Sequence, residues 1–155
     1  MTRAFVSLGS NLGDRAAHLR AGVAVVTGSD AHRVSSVYRT SPWGPVAQDD
    51  FYNLVVEVDT DASARELLAR CQRAEDERGR ERALRWGPRT LDADIIVMGD
   101  LVVHEADLVV PHPRMWERRF VLVPLRELAP ELVSEAAIEA ATGEVEAVGT
   151  LDTLG

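Results

Sequence analysis

Leu91-Asp-Ala-Asp-Ile-Ile-Val-Met98, then Gly99-Asp100, then Leu101-Val-Val-His104: the reading of this stretch decides the fold class. An apolar, β-branched run reads as a strand, Gly-Asp is a two-residue turn signal, and the second apolar run reads as a strand returning beside the first. A tight return makes the two strands antiparallel neighbours. The flanking sequence agrees in kind. Thr2 to Leu8 alternates, with Ala4, Val6 and Leu8 on one face, and ends in Gly9-Ser-Asn-Leu-Gly-Asp14. Asn11 with Asp14 three residues later marks a helix start, and Ala16, Leu19, Val23 and Val26 recur at helical spacing until Gly28. His32 to Arg39 and Asn53 to Asp59 read as strands around a loop, Thr40 to Tyr52, too long to be a simple connection. Trp43, Phe51 and Tyr52 argue against disorder there.

Ser63-Ala-Arg-Glu66 is a capping box, and Ala64, Leu67, Leu68, Cys71 and Ala74 then form a helical stripe to about Arg78. Glu75 falls on or beside that stripe. A short helix is predicted after Pro111-His112-Pro113, and the apolar stretch Phe120 to Leu128 is broken by Pro124. From Ala129 onward there are six acids and no base, so residues 129–155 are expected to be a weakly specified, partly mobile end. Strands and helices alternate irregularly. This favours an α+β sandwich on a mostly antiparallel sheet over a doubly wound parallel one. A chain of 155 residues suits a single domain, 1–155, that buries roughly 70% of its unfolded surface.

Composition narrows the chemistry. All 17 basic side chains are arginine, against 25 acids, for a formal charge of −8. Without lysine there can be no G-x-x-x-x-G-K-[ST] phosphate loop and no Schiff-base catalysis. An acidic chain lacks the basic face that a general nucleic-acid binder needs. No apolar run approaches a membrane span and the start does not resemble a signal peptide, so no membrane partner and a cytoplasmic location are expected. Cys71 has no cysteine partner and sits among apolar neighbours, as a buried structural thiol does.

The densest chemistry lies in Gly79-Arg-Glu-Arg-Ala-Leu-Arg-Trp-Gly-Pro-Arg-Thr-Leu-Asp-Ala-Asp94. Asp92 and Asp94 are two apart on a strand, so both carboxylates leave the same face, while Leu91, Ala93, Ile95 and Val97 are predicted on the other. Carboxylates about 7 Å apart repel one another unless a cation intervenes. Hard oxygens suit Mg²⁺, and two such ions about 4 Å apart clamp an in-line phosphoryl displacement. A strand pair bridged to neighbouring arginines is the plain alternative. Residues 78–89 nevertheless hold Arg78, Arg80, Arg82, Arg85 and Arg89 against Glu81 alone, more than two aspartates require. Arginine's fork matches phosphate oxygens bidentately. A second cluster, Arg114, Arg118 and Arg119, follows His112; a solvated helix face is the alternative for Arg114 and Arg119. Phe51 and Asn53, also two apart, offer a ring for stacking beside an amide, or else a core anchor and a strand cap.

Taken together, Phe5-Val-Ser-Leu-Gly-Ser-Asn-Leu-Gly-Asp14, Tyr38-Arg-Thr-Ser-Pro-Trp-Gly-Pro45, Asp50-Phe-Tyr-Asn53, Arg85-Trp-Gly-Pro-Arg-Thr-Leu-Asp-Ala-Asp94, Val110-Pro-His-Pro-Arg-Met115 and Pro130-Glu-Leu132 resemble the 6-hydroxymethyl-7,8-dihydropterin pyrophosphokinases. Those folate-pathway enzymes transfer the terminal diphosphate of ATP to a pterin alcohol and release AMP. The resemblance implies a ferredoxin-like sandwich with helices on both sheet faces. It implies ATP as co-substrate, two Mg²⁺ on Asp92 and Asp94, and a monomer that needs only its small-molecule substrates. Arg80 and Arg89 match positions that engage the transferring phosphates. Gln72, Glu75, Arg82, Arg85, Trp86, Ile95, His112 and Arg118 match the nucleotide site. Thr40, Ser41, Trp43, Phe51, Asn53, Trp86 and Phe120 match the pterin site, with the heterocycle between Phe51 and Phe120.

Three features depart from the pattern. The Gly79 to Arg85 segment is a residue shorter than in the familiar bacterial form, Asp107 stands where some members have arginine, and Trp116 where many have a polar residue. Metal coordination would acidify the pterin hydroxyl, with Asp94 or water taking the proton, and residues 79–89 would close on ATP. Two other readings are a phosphotransferase for another flat alcohol and an RNA-binding module. The module does not account for Asp92 and Asp94, which would repel phosphate without a metal.

Overall fold

The computed structural model describes residues 1–41, 48–78 and 90–154. Its elements are β1 (Thr2–Ser10), α1 (Arg15–Thr27), β2 (His32–Val34), β3 (Val37–Thr40), β4 (Phe51–Thr60), α2 (Ala64–Glu77), β5 (Asp92–Met98), β6 (Val103–Glu105), β7 (Leu108–Val110), α3 (Arg119–Leu128), α4 (Glu135–Ala140) and β8 (Val145–Gly149). Short 3-10 turns cover Met115–Glu117 and Pro130–Leu132. One sheet runs β5-β1-β4-β3-β8, with β2 also on β4, and every pairing in it is antiparallel.

Period-two alternation splits the apolar residues of β1 between two cores. Ala4, Val6 and Leu8 pack with Leu19, Val23 and Val26 of α1 and Leu67, Cys71 and Ala74 of α2. Phe5 points the other way, onto Val121, Leu122, Leu125 and Leu128 of α3. Helices therefore cover both faces of the sheet, as expected. Cys71 is buried in the first core, where desolvation pushes its thiol up and keeps it inert. The capping box at α2 is formed, with Ser63 Oγ accepting from Glu66 N and Glu66 returning to Ser63 N, both at 3.1 Å. Among the described residues no helix is long and apolar enough to cross a membrane.

Several local expectations give way to tertiary competition. The strand after Gly99-Asp100 does not return along β5. The turn itself forms, with Gly99 at φ 52 and Leu101 N donating to Met98 O at 3.0 Å. Beyond it Val102 stays 65% exposed, and β6 pairs instead with β7 in a separate two-stranded sheet. The outer edge of β5 is already engaged: Ala93 N donates to Glu75 Oε2 at 3.1 Å and Ile96 O accepts from His112 N at 2.9 Å. A returning strand would have to displace both. Val97 also lies opposite its predicted face. The β1/β5 register breaks between Phe5 and Val6, so that Phe5 faces Val97 and Val6 faces Ile95. The unpaired Ile96 is a bulge that turns Val97 toward the α3 core.

The cap of α1 is Asp14, whose Oδ1 accepts from Ala17 N at 3.1 Å, rather than Asn11. The predicted strand at His32 to Arg39 divides at Ser35-Ser36, because Ser36 N turns to the Glu127 carboxylate of α3 at 2.9 Å. Pro124 does not interrupt α3. Burial of Leu122, Leu125 and Leu128 outweighs the one backbone bond that proline removes. The acidic end carries α4 and then β8, which pairs β3.

Candidate active site

The ladder sets the geometry. Asp92 pairs with Gly9, and Gly9 pairs on its other side with Asn53. Residues directly opposite one another share a face, so Asp92 and Asn53 rise from the α3 side of the sheet with a glycine between them. Two strand spacings separate their backbones by roughly 10 Å. Asp94 stands on that face opposite Ser7, exposed, and Asp92 is half-buried. Gly9 forms the floor: a Cβ there would meet Asn53 Oδ1 at 2.5 Å and Phe51 Cδ1 at 3.6 Å. An interior strand glycine of this kind is the signal for close approach.

On the β4 side, Asn53 is 4% exposed and its Nδ2 donates to Thr40 Oγ1 at 2.7 Å. That bond fixes the amide plane and leaves Oδ1 over Gly9. Phe51, on the same face, is half-buried. Ser41 is exposed at the end of β3.

On the β5 side, His112 and Arg118 lie in the field of the aspartates. Burial lowers the His112 pKa, Asp94 opposes that shift, and Arg118 and Arg114 add to it. His112 Nδ1 accepts from Arg114 N at 3.1 Å, which assigns the ring proton to Nε2. Burial also lowers Arg118, while Asp94, Glu117 and Asp92 pull it back up. Its guanidinium carbon lies 5.5 Å from the Phe120 ring centroid. Phe120 is half-buried beside the second core, so the entry into α3 brings ring and cation to the cleft together.

Three further residues expected at the nucleotide site lie on α2 and β5. Glu75 is buried and holds Ala93 N–H, bracing β5 between the two aspartates from its edge. Gln72 is exposed on α2, and the Ile95 side chain lies in the first core, leaving only its backbone toward the strand edge. Arg119 is no solvated helix face. It donates to Ile138 O at 2.9 Å, Glu139 O at 3.2 Å and Gly143 O at 3.3 Å, stitching α4 to α3. Trp43, Arg80, Arg82, Arg85, Trp86 and Arg89 lie outside the described residues.

Among the described residues no third His, Cys, Asp or Glu joins Asp92 and Asp94 to make a closed metal cage. Two hard carboxylates on an open face fit Mg²⁺, which binds through one or two carboxylates and completes its shell with water and phosphate oxygens. They do not fit a structural zinc site.

A cleft with carboxylates and cations on one side of a glycine floor, and a ring with a fixed amide on the other, marks an α+β enzyme that moves phosphoryl groups onto a flat acceptor. The family described as 7,8-dihydro-6-hydroxymethylpterin-pyrophosphokinase matches residues 5–130, and the chain belongs to it. It is 45% identical over 136 residues to the 2-amino-4-hydroxy-6-hydroxymethyldihydropteridine pyrophosphokinase of Bacillus subtilis (strain 168), covering 86% of this chain and 81% of that one. It is 42% identical over 136 residues to the protein of the same name from Haemophilus influenzae, covering 86% and 85%. Two solved structures share the fold, each at a TM-score of 0.64: an HPPK-DHPS in complex with substrates, at 12% identity, and the Plasmodium falciparum HPPK-DHPS with SDX-DHP, at 15%. This chain spans 90% and 99% of its own length in those matches but only 42% and 43% of theirs.

Proposed function

We propose that this chain, acting as a single-domain monomer, transfers the β,γ-diphosphate of ATP to the hydroxymethyl oxygen of 6-hydroxymethyl-7,8-dihydropterin. The products are AMP and the pterin diphosphate used in folate biosynthesis. One observation carries the reading: the Asp92–Gly9–Asn53 row, which sets a carboxylate side and an amide side on one face with nothing but a glycine between. A reaction that consumes ATP belongs with the cytoplasmic nucleotide pool.

In this reading Phe51 and Phe120 take the two faces of the pterin, and Asn53, held by Thr40, reads its pyrimidine edge. The substrate hydroxymethyl group then points across Gly9 toward Asp92 and Asp94. Those two carboxylates would hold two Mg²⁺, which supply charge neutralisation on the phosphates and acidify the hydroxyl when bound. Asp94, the more exposed of the pair, or a water beside it takes the proton. His112, through Nε2–H, and Arg118 face the phosphates, and the resemblance assigns Arg80 and Arg89 to the transferring groups. The chain's contribution is alignment and electrostatic stabilisation, which suits a transfer with little covalent chemistry for the protein to perform.

The test is AMP formation from ATP and Mg²⁺ with and without added 6-hydroxymethyl-7,8-dihydropterin. AMP should appear only with the pterin, and chelation by EDTA should abolish it. ADP as the product, or AMP independent of the pterin, would refute the assignment.

A further inference from the structure

Asn11, in the turn after β1, and Arg15, the first residue of α1, have no part in the reading above, yet they hold the strand on which the pterin side is built. Asn11, 2% exposed, donates through Nδ2 to Gln48 Oε1 at 2.7 Å and to Asp49 O at 2.9 Å. Arg15 Nη1 donates to Asp50 O at 2.9 Å. The Arg15 guanidinium carbon also lies 3.8 Å from the centroid of the Tyr52 ring. Three consecutive residues, 48 to 50, are thus fastened to the turn before α1 and to its first residue, immediately before β4 begins.

Tyr52 is the first β4 residue in register with β1, opposite Ser10, and its side chain packs toward the first core. Phe51 and Asn53, one residue to either side, therefore point to the opposite face, into the cleft. Whatever fixes Tyr52 from behind fixes the plane from which Phe51 and Asn53 project. We infer that Arg15 is a positioning residue for the acceptor site: stacked on Tyr52 and bonded to Asp50 O, it holds the entry of β4 so that Phe51 and Asn53 meet a flat heterocycle at the right height. The inference rests on the function proposed above.

The effect is one-sided. Asp92, Asp94, His112 and Arg118 belong to β5 and to the segment before α3, and Arg15 makes none of its contacts there. Loss of the guanidinium should loosen the heterocycle side and leave the nucleotide side intact. A guanidinium is suited to the task because its plane stacks on the ring while an edge N–H still reaches the carbonyl.

The experiment is titration of pterin into the full chain with Mg²⁺ and a non-hydrolysable ATP analogue, and separately of the analogue alone. Arg15→Ala should raise the pterin Kd about tenfold, the loss of one partly buried stacking contact and one charge-assisted bond. Analogue affinity should stay within about twofold, the spread expected when no contact is lost. Arg15→Lys, which keeps a cation over the ring without its plane, should recover part of the loss. Tyr52→Leu should weaken pterin alone, and the double variant should be little worse than either single one. Should Arg15→Ala not fold, Tyr52→Leu carries the same test.

An unchanged pterin Kd in Arg15→Ala, an equal loss of analogue affinity, or fully multiplicative effects in the double variant would overturn the inference while the wild type stays active. A wild type that makes no pterin-dependent AMP would overturn the proposed function and this inference with it.

Discussion

Replacing Gly9 by alanine tests the cleft at its floor. The new Cβ would sit 2.5 Å from Asn53 Oδ1, with Asn53 Cγ and Phe51 Cδ1 both at 3.6 Å. Carbon and oxygen need close to 3.5 Å, so the amide must retreat by about 1 Å. It has little room, being 4% exposed and tied to Thr40 Oγ1 at 2.7 Å. Either that buried bond breaks or β1 and β4 separate locally, at a cost of about 1–3 kcal/mol in each case. For a chain of this size each kcal/mol lowers Tm by roughly 2–4 °C. A misplacement of this size at a substrate-aligning group weakens the productive complex by about 10- to 100-fold. All three nearest atoms belong to β4, so the loss should fall on pterin and much less on nucleotide. Isothermal titration with pterin, with an ATP analogue as control, measures both. A folded Gly9→Ala protein with a pterin Kd within about twofold of wild type would refute the reasoning, since a cost of even 1 kcal/mol is worth more than that.

Asp94→Asn keeps the shape and removes the charge, so turnover should drop at least about 100-fold, as for other transition-state electrostatic contacts, with a smaller change in analogue Kd; single-turnover AMP release separates the two. Glu57 accepts from Arg3 Nε at 2.5 Å and from Arg33 Nε at 2.8 Å, and Arg33 Nη2 reaches Leu128 O at 2.9 Å to finish α3. The Arg33 bonds, then those of Arg3, hold the Glu57 carboxyl below the usual range against the opposing effect of burial. Its contribution is therefore present above the ordinary glutamate value of about 4.3 and lost as pH falls through the lower folded value. Thermal melts from pH 7 down to pH 3 should show an acid limb that Glu57→Gln flattens, alongside a lower Tm at pH 7. Arg119→Ala should cost about 1–2 kcal/mol through its three carbonyl bonds to the α4 region. Its KM values should stay near wild type; a selective rise in the KM for ATP would return Arg119 to the nucleotide site.

Local signals served well where the deciding forces are local. The Ser63 capping box, the Gly28 stop and the alternation of Ala4, Val6 and Leu8 depend on residues a few positions apart, and each is found in place. Signals failed where two distant segments compete for the same backbone group. The turn at Gly99-Asp100 was readable, but the partners that Ala93 and Ile96 take were not, because Glu75 and His112 reach them from elsewhere in the chain. The same holds for Ser36, whose N–H is drawn out of the ladder by Glu127. Val97 shows how a single bulge reverses a face that the period-two pattern assigns.

By itself the sequence determined which groups are present and how near neighbours share a face: Asp92 with Asp94, Phe51 with Asn53, arginines rather than lysines, and the family to which their order belongs. Strand periodicity is a covalent property and needs no partner. Only the tertiary structure decided that the two pairs face the same way across Gly9, that Arg118, just before α3, and Phe120, in its first turn, arrive there together, and that Arg15 and Asn11 brace β4 from behind. Those relations depend on the β1 registers with β4 and β5, which no local pattern specifies because the interactions that fix them join residues tens of positions apart.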